Sequence, residues 1–572
     1  MHLGLPTRSV HGLPIIEHAE FGRNVPDEAM PDEDKMNLGK IYHMGKEEAA
    51  ELLLNRQAMA SHTFITGSTG TGKSNAVYHL LDEITKNGQT TFLVVEPAKG
   101  EYKNVFGNCT DVQVFGTNPR ETPLLRMNPF AFPENIHILE HIDRLVEIFN
   151  ACWPMYAAMP AVLKDAIERS YQKVGWDLRN SESEKGIFPT FFDLLDILPG
   201  VIEESHYSKD TQSDYVGALC TRVKSLTNGI YGSVLCAEDA LSDAEMFDQN
   251  VIVDLSRVGS METKSLLMGI LVMKLQEYRM CSSGMNSRLR HVTVLEEAHN
   301  LLRKTSAEQS QEGANLQGKS VEMLANAIAE MRTYGEGFII ADQAPGLLDM
   351  SVIRNTNTKI ILRLPDEEDR KLVGKSAALK EAQIDELSKL PLGVAAVYQN
   401  EWPEAVLCKI EAYPMPENAV YHKPSKMPHE INAEFVFGQL AVGKELEPLS
   451  ISEMEQLKLW LKRHETVLKP EDDRYLERVF AGGELDVAKT RKAVFDFFGG
   501  IGTVVDYCAA AKKSLTPRKE FLEQLQGQYG LKAAAADWVL NSVISMGMSL
   551  NPDAKAVENL RTNFEQQGGR VL

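Results

Sequence analysis

Two short stretches hold most of the residues that could do chemistry together. The first is GSTGTGKS at 67–74, which has the spacing G-x-x-x-x-G-K-[ST]. Gly67, Gly70 and Gly72 allow the backbone to fold closely around an anion. The N–H groups of the loop, through Ser68, Thr69 and Thr71, can then point inward at phosphate oxygens. Lys73 can neutralise β- and γ-phosphate oxygens, and the Ser74 hydroxyl can ligate Mg²⁺. Asn75 follows at the start of a helical pattern, whose N-terminus adds partial positive charge at the same place. The second stretch is HVTVLEEAHN at 291–300, where an apolar run ends in Glu296 and Glu297. Burying an unpaired carboxylate costs several kcal/mol, so two adjacent ones at a strand end need a cation to face.

The phosphate loop supplies it. In P-loop nucleotide hydrolases a strand neighbouring the loop ends with acids that face the metal and the attacking water. Glu296 then stands where a carboxylate supports Mg²⁺ through a water. Glu297 stands where a carboxylate orients or deprotonates the nucleophilic water. The implied ligands are ATP and Mg²⁺, and the implied reaction is hydrolysis of the β–γ phosphoanhydride bond.

The elements that must position these residues follow from hydrophobic patterning. HTFIT (62–66) runs directly into the glycine-rich loop, and NAVYHLLDEI continues as a helix. Further strand candidates are TFLVVE (91–96), VQVF (112–115), NVIVDL (250–255), VTVLE (292–296), GFIIAD (337–342), TKIILRL (358–364) and GVAAVY (393–398). Their alternation with helical patterns predicts an α/β core with a mainly parallel sheet over 41–412. A helical insert is expected at about 134–249, where Ile138, Ile142, Leu145 and Phe149 recur at helical spacing. Residues 1–40 read as an arm or linker and 413–445, rich in proline at its start, as a second linker. A helical domain follows over 446–572, opened by a capping-box signal from Ser450 and Glu453.

Composition narrows the class. With 43% hydrophobic and 24% charged residues among 572, the chain reads as globular and multidomain. Its seven cysteines lack metal-ligand spacing and suggest reduced thiols in a cytoplasmic protein. The longest apolar run, LLMGILVM at 266–273, is too short for a bilayer, so no direct membrane insertion is expected. A net charge of −20 argues against a protein that coats nucleic acid, though not against a ring with basic residues gathered in its channel.

The ordered series GSTGTGKS, VIVDLS, VLEEAHNLL, EMRTYGEGFIIADQ and NTNTKIILRL resembles the HerA/FtsK superfamily of hexameric motor ATPases, and HerA-type DNA translocases in particular. The resemblance covers roughly residues 40 to 412. It implies a RecA-like P-loop core acting as a homo-oligomer, a hexameric ring, on double-stranded DNA, beside a separate nuclease or other effector, including in phage defence. Alternatives within its reach are a type IV secretion or conjugation motor and a nucleotide-gated scaffold for an effector. Glu296 replaces the aspartate usual in the family. Members also carry a small β-barrel ahead of the phosphate loop, which starts here at residue 67. The expectation is a different N-terminal unit, or one lying partly outside this chain.

The resemblance also assigns roles. Gln343 matches the polar residue that senses the γ-phosphate. Arg332 matches an arginine offered to a neighbouring subunit's nucleotide, with Arg354 and Arg363 as rivals. Glu101–Tyr102 resembles an acidic turn near the site. Asp254 reads as a strand end and His299 as a core histidine. Arg288, Arg290, Arg303 and Lys304, or Lys512, Lys513, Arg518 and Lys519, are basic groups that could meet DNA phosphates, each equally readable as a solvated face.

Overall fold

A computed structural model describes residues 18–25, 30–155, 158–183, 187–237, 240–305, 316–415, 419–423 and most of 486–571. The strands are β1 (Lys35–His43), β2 (Lys46–Asn55), β3 (Thr63–Thr66), β4 (Thr91–Glu96), β5 (Val112–Gly116), the short pair β6 (Trp176–Asp177) and β7 (Glu182–Ser183), β8 (Asn250–Asp254), β9 (His291–Glu296), β10 (Glu336–Asp342), β11 (Thr358–Ile361), β12 (Val394–Gln399) and β13 (Val406–Ile410). All but β6 and β7 join one eleven-stranded sheet in the order β2-β1-β13-β12-β11-β3-β10-β9-β4-β8-β5. From β11 to β5 every pairing is parallel, and β12, β13, β1 and β2 extend the sheet antiparallel.

Both faces of the parallel part are covered, which is why its strands read as unbroken apolar runs. Alternate residues of β4 go to opposite cores, Leu93 and Val95 to one and Phe92 and Val94 to the other. The helix Lys73–Thr85 covers one face with Val77, Leu80, Leu81 and Ile84. On the other lie the helical insert and the helices Met261–Ser282 and Leu316–Glu330. Helix Met261–Ser282 is apolar nearly all round over residues 266–275, the stretch that is buried all round. At the C-terminal end, four helices (Gly500–Ala511, Pro517–Tyr529, Ala533–Leu550 and Ala554–Gln566) pack around Tyr507, whose ring lies 5.6 Å from Phe521 and 5.5 Å from Phe564. No helix among the described residues is long and apolar enough to cross a membrane.

The sheet corrects the expected arm. Residues 35–40 are the first part of β1, paired to β13 and β2, because Met36 and Leu38 have a core to enter. Residues 18–22 also lie on the core: Gly22 N donates to Ala405 O and Gln383 Nε2 to Glu20 O. The expected second linker starts as a strap, its backbone held by asparagines of the core: Asn104 Oδ1 accepts from Tyr421 N and Asn108 Oδ1 from His422 N, both at 3.0 Å. The capping signal at Ser450 and Glu453 lies outside the described residues.

A buried ion cluster fixes the edge of the core where β9 and β10 begin. Arg279 Nε donates to Glu336 Oε2 at 2.9 Å, and His291 Nδ1 and Thr293 Oγ1 each lie 2.8 Å from Glu336 Oε1. Burial alone would raise the Glu336 carboxyl, but His291 and Arg279 override it and bring it down to about 2. Burial presses His291 itself toward its neutral form, so Arg279 is the countercharge that persists. Arg279→Ala should destabilise the core by about 3–5 kcal/mol, since it strands a buried carboxylate. The check is a thermal melt, with Tm lowered by several degrees and the secondary structure below the transition kept. The depressed pKa sets the sign with pH: the carboxylate's contribution is complete above its ordinary value of 4.5 and is lost as pH falls through about 2.

Candidate active site

The C-terminal ends of the parallel strands converge on one polar site. β3 ends at Thr66, the loop spans 67–72, and the helix starts at Lys73. Gly72, at φ 106°, adopts a conformation that other residues rarely hold. A Cβ on Gly67 would lie 2.7 Å from Leu362 Cβ and 2.8 Å from Thr71 Oγ1, so the loop tolerates no side chain there. Neighbouring segments hold the loop from outside: Ser68 N donates to Arg363 O at 3.1 Å, and Gly393 N to Thr71 O at 3.0 Å.

Lys73 Nζ lies 2.8 Å from Glu296 Oε2 and 3.5 Å from Glu297 Oε1. Burial would lower the Lys73 ammonium, but the two carboxylates outweigh it and hold the group above the ordinary lysine value. The acids at the end of β9 therefore do face a cation. They are not on the strand next to the loop, which corrects the expected adjacency: β10 lies between β3 and β9. That insertion puts Gln343 between the loop and the acids. Its Nε2 donates to Glu297 Oε1 at 2.5 Å, while its Oε1 accepts from Thr69 Oγ1 at 2.7 Å.

Glu297 is a non-glycine residue in the left-handed region, at φ 45° and ψ 52°. Such a conformation costs about 1–3 kcal/mol and persists only where surrounding contacts demand it. Asn300 supplies two of them, donating to Glu297 O from its backbone N at 2.9 Å and from Nδ2 at 2.7 Å. The turn breaks the strand register, so both acidic side chains reach the lysine although they are sequence neighbours.

Two members of the site were missed or misread from sequence. His299 is no core histidine: its side chain is 23% exposed, and its Nδ1 lies 2.9 Å from Asp342 Oδ2 and 3.6 Å from Glu297 Oε2. The hydrogen bond to Asp342 raises its pKa. Asp342, fully buried at the end of β10, also accepts from His299 N and Ala344 N. The signal was available in the AHN and ADQ endings of two strands, but their adjacency is set by the sheet order. Asp254 is likewise more than a strand end, since Lys103 Nζ donates to its Oδ2 at 2.6 Å.

Asn75, expected beside the nucleotide, also ties the loop's helix to the segment after β13. Its amide is engaged by the strap, with Nδ2 donating to Glu411 O at 3.0 Å and Oδ1 accepting from Tyr413 N at 2.9 Å. Ser74 opens the same helical turn as Lys73. The hydroxyl and carboxylate oxygens of Ser74 and Glu296 are the hard donors that suit Mg²⁺, and the glycine cradle leaves room for phosphates; the residues fit Mg²⁺ with ATP.

The three arginines separate. Arg363 flanks its own phosphate loop through its carbonyl oxygen. Arg332 and Arg354 precede β10 and β11, at the opposite end of the sheet. The seven residues of β10 at ~3.3 Å each put them on the order of 20 Å from the loop, beyond an arginine's reach. Both line a cleft of about 550 Å³ with Asn326, Asn355, Asn357 and Asn400. Of the basic groups considered for DNA, Arg288 is paired to Asp34 at 2.9 Å and Arg518 is paired to Asp537.

Comparison with known proteins agrees with this fold and loop. Residues 36–275 match the family described as "Helicase HerA, central domain". A probable helicase of Methanocaldococcus jannaschii is 23% identical over 436 residues, covering 70% of this chain and 76% of the relative. The DNA double-strand break repair helicase HerA of Sulfolobus acidocaldarius is 26% identical over 393 residues, 66% of this chain and 69% of the relative. Among solved structures, VirB4 of Thermoanaerobacter pseudethanolicus superposes with a TM-score of 0.51 at 18% identity, covering 67% of this chain and 98% of that one. Matched in sequence across residues 36–275 and in fold across its sheet, the chain is similar to the HerA-type P-loop ATPases.

Proposed function

We propose that the chain is a ring-forming motor that hydrolyses ATP between subunits and moves along double-stranded DNA. The observation that carries this reading is the division of the site. Lys73, Glu296, Glu297 and Gln343 meet at one end of the sheet, while Arg332 and Arg354 face outward from the other. A second copy, most simply in a hexamer, can bring those arginines to this loop.

In this reading Lys73 turns from the acids to the β- and γ-phosphates as they enter. Glu297 accepts a proton from the attacking water, which Gln343 orients through the shared hydrogen bond. Bound Mg²⁺ would neutralise phosphate charge, held by Ser74 and, through water, by Glu296. The arginine fork from the neighbour meets charge that develops in the transition state.

DNA as the substrate is supported by the helicases this chain resembles, and a companion nuclease or effector is what that resemblance implies. The test is ATPase rate with and without duplex DNA, single-stranded DNA and RNA, on protein sized by light scattering. Duplex DNA should stimulate turnover severalfold, and its affinity should fall steeply with salt. Equal rates with and without every nucleic acid would remove DNA from the reading and favour a scaffold or secretion motor.

A further inference from the structure

Beside the loop and the acids stands a group that the mechanism above does not use. Tyr102 is 2% exposed, and its hydroxyl donates to Glu296 Oε1 at 2.6 Å. Lys73 holds the other oxygen, Oε2, at 2.8 Å, so both oxygens of one carboxylate are fixed from opposite sides. A glutamate in this position has one more rotatable bond than an aspartate, and therefore more positions to exclude.

The tyrosine is itself held by acids from two further strands. Glu96, the last residue of β4, accepts from Glu101 N at 2.8 Å and Tyr102 N at 3.1 Å. Lys103, the next residue, donates to Asp254 at the end of β8 and to Glu121 at 2.9 Å. The ring packs edge-on against Tyr78 at 4.9 Å, in the helix that carries Lys73. Carboxylates from three adjacent strand ends thus converge on the turn 101–103, which meets the reacting site through the phenol on Glu296.

We propose that Tyr102 is a positioning residue for Glu296, fixing that carboxylate toward the cation site when Lys73 transfers to phosphate. The proposal rests on the reading of Glu296 as the acid that supports Mg²⁺. Without the hydroxyl, Glu296 loses one of two restraints and the cation loses a preset partner. Outer partners of metal-facing carboxylates typically contribute about 10- to 100-fold in metal affinity or activity.

The experiment compares Tyr102→Phe, Glu296→Gln and the double variant. Tyr102→Phe keeps the ring against Tyr78, so its melting temperature should match wild type. Its kcat should fall about 10- to 100-fold while KM for ATP moves little. In a second readout, binding of a fluorescent ATP analogue is titrated with Mg²⁺. The half-saturating Mg²⁺ concentration should rise about tenfold or more in each single variant, and no further in the double, because Tyr102 acts only through Glu296. Wild-type kcat and Mg²⁺ demand in Tyr102→Phe would overturn the proposal, as would fully additive shifts in the double variant. A Glu296→Gln protein with wild-type Mg²⁺ demand would instead overturn the reading of Glu296 on which it rests.

Discussion

Glu297→Gln is expected to bind ATP as tightly as wild type and to turn over about 10²- to 10⁴-fold more slowly, the usual contribution of a positioned general base. The replacement is isosteric, and its amide oxygen can still accept from Gln343 Nε2, which now donates to Glu297 Oε1 at 2.5 Å. The Lys73–Glu296 pair at 2.8 Å is untouched, so the loop keeps its binding groups. What disappears is a group able to take a proton from water. Lys73→Ala should behave differently and weaken binding itself. Equilibrium binding of a fluorescent analogue beside steady-state ATPase rates separates the two losses. A Glu297→Gln protein with near wild-type kcat would remove Glu297 from the chemistry and leave Glu296 as the acid to test.

Arg332→Ala should cost on the order of 10³- to 10⁵-fold in rate with little change in ATP affinity, the effect of removing an arginine that meets transition-state charge. The geometry makes the prediction specific among three arginines. Arg354 shares the cleft with Arg332, so Arg354→Ala should also slow turnover. Arg363→Ala should do little, because Ser68 is held by the Arg363 carbonyl oxygen at 3.1 Å and any residue supplies that group. Single-turnover ATPase assays with all three variants rank them. Full activity in Arg332→Ala would move the role to Arg354.

Much of the fold could be read from the chain because buried parallel strands are short continuous apolar runs. TFLVVE became β4 with its ends unchanged. The antiparallel extension was not read, for a local reason. EEAAELLLN is composed of helix formers, yet folds as β2 because β1 offers it an edge and its Leu52 and Leu54 are fully buried. The turn between them, Met44 at φ 47° and Gly45 at φ 79°, is a left-handed hairpin turn without the usual Asn-Gly signature. At the site, the loop and acidic pair stood out because motif spacing is local. Asp342, His299 and the aim of Tyr102 did not, since each depends on which strands the sheet places side by side. The arginines required the same knowledge: Arg332 and Arg363 look alike in sequence and lie at opposite ends of the sheet.

The most direct test of a site completed by a neighbour is to mix two inactive proteins, Lys73→Ala and Arg332→Ala. An interface pairing the intact loop of one with the intact arginine of the other carries every group the reaction needs. ATPase activity should appear on mixing, peak near equal proportions and be absent from either protein alone. No activity at any ratio, in rings shown by native mass spectrometry to contain both variants, would contradict a site built across subunits.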